Sequence, residues 1–307
     1  MENKDQNSTV KFFSGRQIPL EMHKVRVVQA LNLKPVEHRL EAIREAGYNS
    51  FLLKTKDLYL DMLTDSGTNA MSDEQISKMF VADDAYAGSG SFSKFEKAVL
   101  DVLDQKYVLP VHQGRAAENI ISQTFVKEGS VVPMNYHFTT TLAHIQANGG
   151  SIRELFTAEA MKVKSDNPFK GNIDLDKLDE LIRVEGVEKV PYIRMEASTN
   201  LIGGQPFSLD NFKKVRKLAE HYGIMVVLDA SLIGENAYFI KKREAEYAGA
   251  SLGDILKEMC SLADIVYFSG RKVTSSRGGA ICTNNIDLFN KMKDLVPLYE
   301  GFLTYGG

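Results

Sequence analysis

The stretch Asp264-Ile-Val-Tyr-Phe-Ser-Gly-Arg-Lys272 decides the fold. Ile265, Val266, Tyr267 and Phe268 are β-branched or aromatic and together read as a short buried strand. Ser269-Gly270 stops the strand, and Arg271-Lys272 follow at its carboxyl end. In open α/β sheets the ligand crevice lies at the carboxyl ends of the strands. A lysine there, beside a hydroxyl and a second cation, has the setting of a Schiff-base nucleophile. Taken alone, the turn reads more readily as a solvated Lys-Arg cap on a strand end. The rest of the chain decides between the two.

Around this stretch a regular alternation runs. Residues 107–111, 131–134, 190–195, 224–228 and 279–283 read as strands. Between them, 116–125, 140–147, 175–182, 209–222, 252–262 and 288–295 read as helices, with Gly223 closing the fourth. Such alternation argues for a mainly parallel sheet covered by helices on both faces. Upstream the pattern is weaker. Residues 1 to about 20 read as an arm, 39–46 as a helix, and 48–53 and 58–63 as strand-like segments. A helix start follows at Ser72 and another helix at 93–103. The chain therefore divides into residues 1–60, an arm with the start of small-domain elements, and 61–307, the large α/β domain.

Composition narrows the function classes. A hydrophobic share of 44% and a charged share of 25% are globular values. The net charge of -3 gives no bulk attraction to nucleic acid or anionic lipid. The two cysteines, Cys260 and Cys282, sit in apolar segments without metal-ligand spacing, as in a reducing cytoplasm. The N-terminus has no apolar signal region and no run reaches membrane-spanning length.

Several strand-end groups suit one kind of ligand. His112-Gln-Gly-Arg115 lies between a strand and a helix, where free amides and a guanidinium make an anion site. An ordinary turn with a solvated arginine is equally compatible with that tetrapeptide. Asp229 ends the strand at 224–228. A carboxylate facing a pyridine nitrogen keeps that nitrogen protonated, and a protonated pyridine is the electron sink of pyridoxal phosphate. Phe138 is placed to stack on such a ring, and Lys272 to hold its aldehyde.

These residues, with Tyr48-Asn-Ser-Phe-Leu-Leu53, Leu63-Thr-Asp-Ser-Gly-Thr68, Asp84-Ala-Tyr-Ala-Gly-Ser89, Gly203-Gly-Gln-Pro206, Glu235-Asn-Ala-Tyr-Phe-Ile240 and Glu300-Gly-Phe-Leu-Thr-Tyr-Gly-Gly307, carry a resemblance along nearly the whole chain. The sequence resembles the aromatic amino acid β-eliminating lyases, the group of tyrosine phenol-lyase and tryptophanase. The resemblance implies a fold-type-I, aspartate aminotransferase-like large domain with pyridoxal 5'-phosphate. It implies Lys272 as Schiff-base lysine, and Gln113, Gly114, Arg115 and Ser269 around the phosphate. Phe138 lies on the ring, Asp229 at its nitrogen and Asn200 at its 3-hydroxyl. Tyr86 is implied as proton donor from a neighbouring subunit, with Thr64, Ser66 and Thr139 near the substrate. Gly67 and Asp84 match potassium ligand positions. The implied reaction is β-elimination from an aromatic amino acid to pyruvate, ammonia and indole or phenol. It takes place in a cytoplasmic homo-oligomer, a dimer of dimers with shared sites, without nucleic-acid or membrane partners.

Three departures stand out. Leu232 occupies the place of a family arginine that contacts the 3-hydroxyl. The loop Lys272-Val-Thr-Ser-Ser-Arg-Gly-Gly279 is one residue shorter than the family's and carries Arg277, a candidate replacement cation. The family's C-terminal small domain, which holds an arginine for the substrate carboxylate, is absent from these 307 residues. Two further readings stay open: an aldolase or eliminase of another amino acid on the same scaffold, and a cofactor-binding piece that is catalytically incomplete.

Overall fold

Side-chain alternation along the strands builds two cores, one on each face of a sheet. The computed structural model describes residues 9–11, 13–19, 33–59, 71–83, 85 and 88–301. The chain forms two units, Met1–Asp65 and Ser66–Gly307.

In the first unit, β1 (Thr9–Lys11) pairs antiparallel with β2 (Gln17–Pro19). The sequence reads as an arm here. The reversal comes from a turn in which Gly15 takes a positive φ of 82°. α1 (Val36–Glu45) follows. The strand-like reading of 48–53 is corrected by the structure, which has a 3-10 turn at Ser50–Leu52. The Asn49 side chain accepts from the Phe51 amide at 3.0 Å, and Tyr48 adopts a left-handed φ of 59°; both oppose an extended backbone. A second 3-10 turn at Thr55–Asp57 precedes residues 58 and 59, which form no strand. Residues 60–63 lie outside the described residues.

The second unit opens with α2 (Asp73–Phe80), whose Ser72 and Gln75 form a capping box. α3 (Gly90–Leu103) begins three residues earlier than its apolar periodicity suggests. Ser89 caps it, and Asp83 accepts from the amides of Gly90 and Ser91 at 2.7 and 2.9 Å. Then come β3 (Tyr107–Val111), α4 (Gly114–Phe125), β4 (Val131–Met134), α5 (Thr139–Ala147), β5 (Ser151–Glu154), α6 (Leu175–Glu185) and β6 (Tyr192–Glu196). α7 (Leu209–Tyr222), β7 (Met225–Asp229), α8 (Ile233–Arg243), α9 (Leu252–Ser261), β8 (Ile265–Ser269) and α10 (Gly270–Val273) follow. β9 (Gly279–Thr283), α11 (Ile286–Lys293) and α12 (Leu295–Glu300) complete the unit.

The seven strands run in the order β3-β9-β8-β7-β6-β4-β5. β9 is antiparallel to both neighbours, and every other pairing is parallel. This is the mainly parallel α/β sheet read from the sequence. Ile193, Met195, Val226, Leu228, Val266 and Phe268 face one core, with Leu178 of α6, Phe212 of α7 and Ile255 of α9. Tyr192, Val227, Ile265 and Tyr267 face the other, with Ile120 of α4, Ile145 of α5 and Met292 of α11. Residues one apart thus serve opposite cores, as the period of two requires. Among the described residues, no helix is long and apolar enough to cross a membrane.

Both cysteines lie fully inside the first core. Burial, with Asp104 nearby, pushes the Cys260 thiol up to about 12, and burial pushes Cys282 higher still. The thiolate is the reactive form. Neither cysteine should be alkylated in the folded protein at mildly alkaline pH, and both should react in denaturant. Rapid native labelling of either would contradict this packing.

Candidate active site

The carboxyl ends of β3, β4, β6, β7 and β8 share one edge of the sheet. Each is followed there by a residue singled out in the sequence. β3 leads to Gln113, Gly114 and Arg115; β4 to Phe138 and Thr139; β6 to Asn200; β7 ends on Asp229; β8 ends on Ser269, just before Lys272.

Close backbone approach defines one side of the site. A Cβ on Gly114 would lie 3.1 Å from the Cβ of Ser269. One on Gly279 would lie 2.5 Å from the Phe268 carbonyl oxygen and 3.2 Å from the Gly114 amide nitrogen. The two glycines let the start of α4 sit directly against the end of β8. Ser269 donates its amide to the Ser231 hydroxyl at 3.2 Å, and Ser231 donates its amide to Asp229 Oδ1 at 3.0 Å. A continuous chain of contacts therefore joins the α4 start to Asp229. Arg115 is exposed in the first turn of α4. Before it, Gln113 Nε2 is 2.8 Å from His112 Nε2, and His112 is bound through Nδ1 to Glu300 of α12. On the other side, Lys272 Nζ lies 4.7 Å from the centroid of the Phe138 ring. Thr139 is the exposed first residue of α5.

Beneath this edge lies a charged cluster that the sequence reading passed over. Arg194 is fully buried in β6. Its Nη2 donates to Asp229 Oδ2 at 2.7 Å, and its Nη1 donates to Glu196 Oε2 at 3.0 Å and to the Tyr136 carbonyl at 3.3 Å. Its Nε donates to the Tyr267 hydroxyl at 3.0 Å. That hydroxyl faces Asp229 Oδ2 at 2.9 Å and Glu118 Oε1 at 3.1 Å, and has one proton for the two. Glu118 of α4 also accepts from Thr140 and Thr141 of α5. Glu196 Oε1 accepts from the Asn200 amide at 2.9 Å. The cluster thus fixes Asp229 and the turn of Asn200 together.

Burial by itself lowers the pKa of Arg194. Tyr267, Glu196, Asp229 and Glu118 more than offset this and hold its pKa well above the ordinary value. Burial pushes the Glu196 carboxyl up, opposed by Arg194 and reinforced by Asp229. Burial likewise pushes the Tyr267 hydroxyl well up. The signal for Arg194 was present in Tyr192-Ile-Arg-Met-Glu196. Two charges in the middle of an otherwise apolar strand must be paired if the strand is central.

Leu232 lies at the start of α8. The buried cation beside Asp229 is Arg194, whereas Arg277 is exposed. Thr64, Ser66, Gly67, Asp84 and Tyr86 lie outside the described residues. Among the described residues no group of three or more His, Cys, Asp or Glu could hold a metal ion.

Comparison with known proteins adds a family. The family described as Beta-eliminating lyase matches residues 61–301. A tyrosine phenol-lyase of Pasteurella multocida (strain Pm70) is 45% identical over 293 residues, covering 95% of this chain and 64% of that protein. The chain therefore spans less than two thirds of that relative. Among solved structures, threonine aldolase of Leishmania major superposes with a TM-score of 0.59 at 13% identity, covering 77% of this chain and 66% of that one. Cystalysin of Treponema denticola, which contains a pyridoxal 5'-phosphate cofactor, gives 0.53 at 12% identity, with 76% and 58% covered. At these identities the two structures speak for the fold alone.

The Glu196 shift has a consequence for stability. With its pKa raised, the folded chain keeps this proton at pH values where the unfolded chain has lost it. The group's contribution is full below the ordinary glutamate value of 4.5 and declines as pH rises from there through the raised value. Glu196→Gln should flatten this decline in denaturant melts taken at stepped pH. Parallel stability profiles for variant and parent would contradict the assignment.

Proposed function

The chain belongs to the beta-eliminating lyase family, and from that premise we propose that it binds pyridoxal 5'-phosphate and serves β-elimination from an aromatic amino acid. Tyrosine is the first candidate substrate, because the Pasteurella relative is a tyrosine phenol-lyase. The products are then pyruvate, ammonia and phenol; with tryptophan the aromatic product is indole. The observation that carries the reading is the Lys272 amine over the Phe138 ring, at the edge where Asp229 and the start of α4 also end.

The residues fit that cofactor. Gly114 and Gly279 bring the start of α4 against the end of β8, so the free main-chain amides of that helix start and Ser269 lie together. Arg271 Nε is buried with no hydrogen-bond partner among the described residues. Asp229 Oδ2 faces the Arg194 guanidinium and the hydroxyl that Tyr267 shares with Glu118, while Oδ1 takes only Ser231, so a carboxylate lone pair stays open at Oδ1. Gln113, Gly114, Arg115 and Ser269 would hold the phosphate, Phe138 the ring face, Asp229 the nitrogen and Asn200 the 3-hydroxyl.

When bound, pyridoxal phosphate supplies an aldehyde that captures an amine and a ring that takes up electrons released at the α-carbon. Lys272 Nζ would hold the cofactor's aldehyde carbon, and as a free amine it would accept the α-proton. Asp229 would hold positive charge at the ring nitrogen. Following the family resemblance, the Tyr86 hydroxyl protonates the departing aromatic carbon, while Thr64, Ser66 and Thr139 position the substrate. Gly67 and Asp84 contribute to a potassium site. The working form is a cytoplasmic dimer of dimers in which neighbours share sites.

Reconstitution with pyridoxal phosphate should give a visible absorption band, and borohydride reduction should fix the cofactor's mass on the peptide containing Lys272. Lys272→Ala should lose both signals. A reduced adduct on another lysine, or an unchanged band in the variant, would refute the assignment.

A further inference from the structure

Arg194 is the largest of the fully buried side chains. Among the described residues it is the one cation amid three buried carboxylates, Glu118 from α4 and Glu196 and Asp229 from β6 and β7. The sheet register sets Glu196 directly opposite Asp229, an arrangement of like groups that needs a cation between them. The fork of Arg194 provides it, with one nitrogen on each carboxylate.

We infer that Arg194 is a positioning residue that sets how strongly Asp229 holds a proton on the nitrogen of a bound pyridoxal ring, an inference resting on the pyridoxal phosphate reading above. Asp229 Oδ2 is already occupied by the guanidinium and by Tyr267. The free lone pair at Oδ1 therefore belongs to a carboxylate whose charge is partly offset from behind. A nitrogen at Oδ1 meets an ion pair rather than a bare anion. A nearby cation disfavours the protonated form of a basic nitrogen and so lowers its pKa.

The other groups around Asp229 do not cancel this effect. Glu196 is held by Arg194 Nη1 and by the Asn200 amide, and burial favours its neutral form. Glu118 is 3.7 Å from Arg194 Nη2 and is bound by Thr140 and Thr141 of α5. Tyr267 of β8 supplies one hydroxyl, and Ser231 supplies a main-chain amide. The same guanidinium, through Glu196, also fixes the turn that carries Asn200.

The test is the nitrogen-15 resonance of pyridoxal phosphate labelled at its ring nitrogen, followed against pH in the reconstituted protein. The cleanest pair is Glu118→Gln with Glu196→Gln, which leaves Arg194 and Asp229 as a neutral couple, against the same background plus Arg194→Met. Adding Arg194→Met should raise the nitrogen's pKa by about one unit or more. An unchanged pKa, with the cofactor still attached at Lys272, would overturn the inference and leave the pyridoxal phosphate reading standing. Should the triple variant fail to fold, the parent protein decides. Its nitrogen should titrate within the pH range over which the protein stays folded, and a signal that remains fully protonated throughout overturns the inference. Failure of the parent to bind the cofactor removes both readings.

Discussion

Three carboxylates share one buried guanidinium under the carboxyl edge of the sheet, and the site above them depends on that arrangement. β6 and β7 place Glu196 and Asp229 side by side in register. Two carboxyl groups buried at that spacing resist both being ionised, since each buried charge carries a desolvation cost on the order of several kcal/mol. Arg194 makes the register tolerable by reaching both. Removing one partner of such a cluster typically costs about 3–5 kcal/mol, because the remaining charge stays buried and unpaired. Cluster and site therefore form one structural unit, and a disturbance of either moves Asp229.

The remaining geometry follows from how tightly the strands and helices approach each other. Two cores hold the sheet from both sides, so residues at strand ends have little freedom to drift. The start of α4 packs against the end of β8 because Gly114 and Gly279 lack side chains. On its outer side the same turn is tied to α12. Glu300 accepts from the His112 amide at 2.9 Å and from its ring Nδ1. As a carboxylate is an acceptor, Nδ1 carries the proton and Nε2 is left to accept from the Gln113 amide nitrogen. The orientation of Gln113 is thus fixed from the last described helix.

The central strands and the helices between them were legible in the sequence because each carried a clean apolar period. Residues 107–111 and 265–269 are short apolar runs bounded by polar turns, and the capping signals at Ser72 and Gly223 mark helix ends where the structure has them. The N-terminal segments were misread because local hydrogen bonding prevailed over apolar content: Asn49 closes a turn where an apolar run suggested a strand. β5 and α8 were passed over. The first is a half-exposed edge strand with a polar sequence, and the second follows the strand-end loop without a strong start signal. In the site, Lys272, Phe138 and Asp229 were readable because each stands at the end of an apolar strand or just beyond it. Arg194 stands out as a charge in an apolar strand, but its partners, Glu118 among them, come from different strands and helices, and that pairing exists only once the sheet has formed.

The account turns on one ligand bound at one edge. A crystal structure of the protein grown with pyridoxal phosphate tests this most directly. The phosphate should lie against residues 113–115 and 269, the ring face on Phe138 and the ring nitrogen on Asp229 Oδ1, with a covalent bond to Lys272. A cofactor bound away from Asp229, or joined to a different lysine, would contradict it.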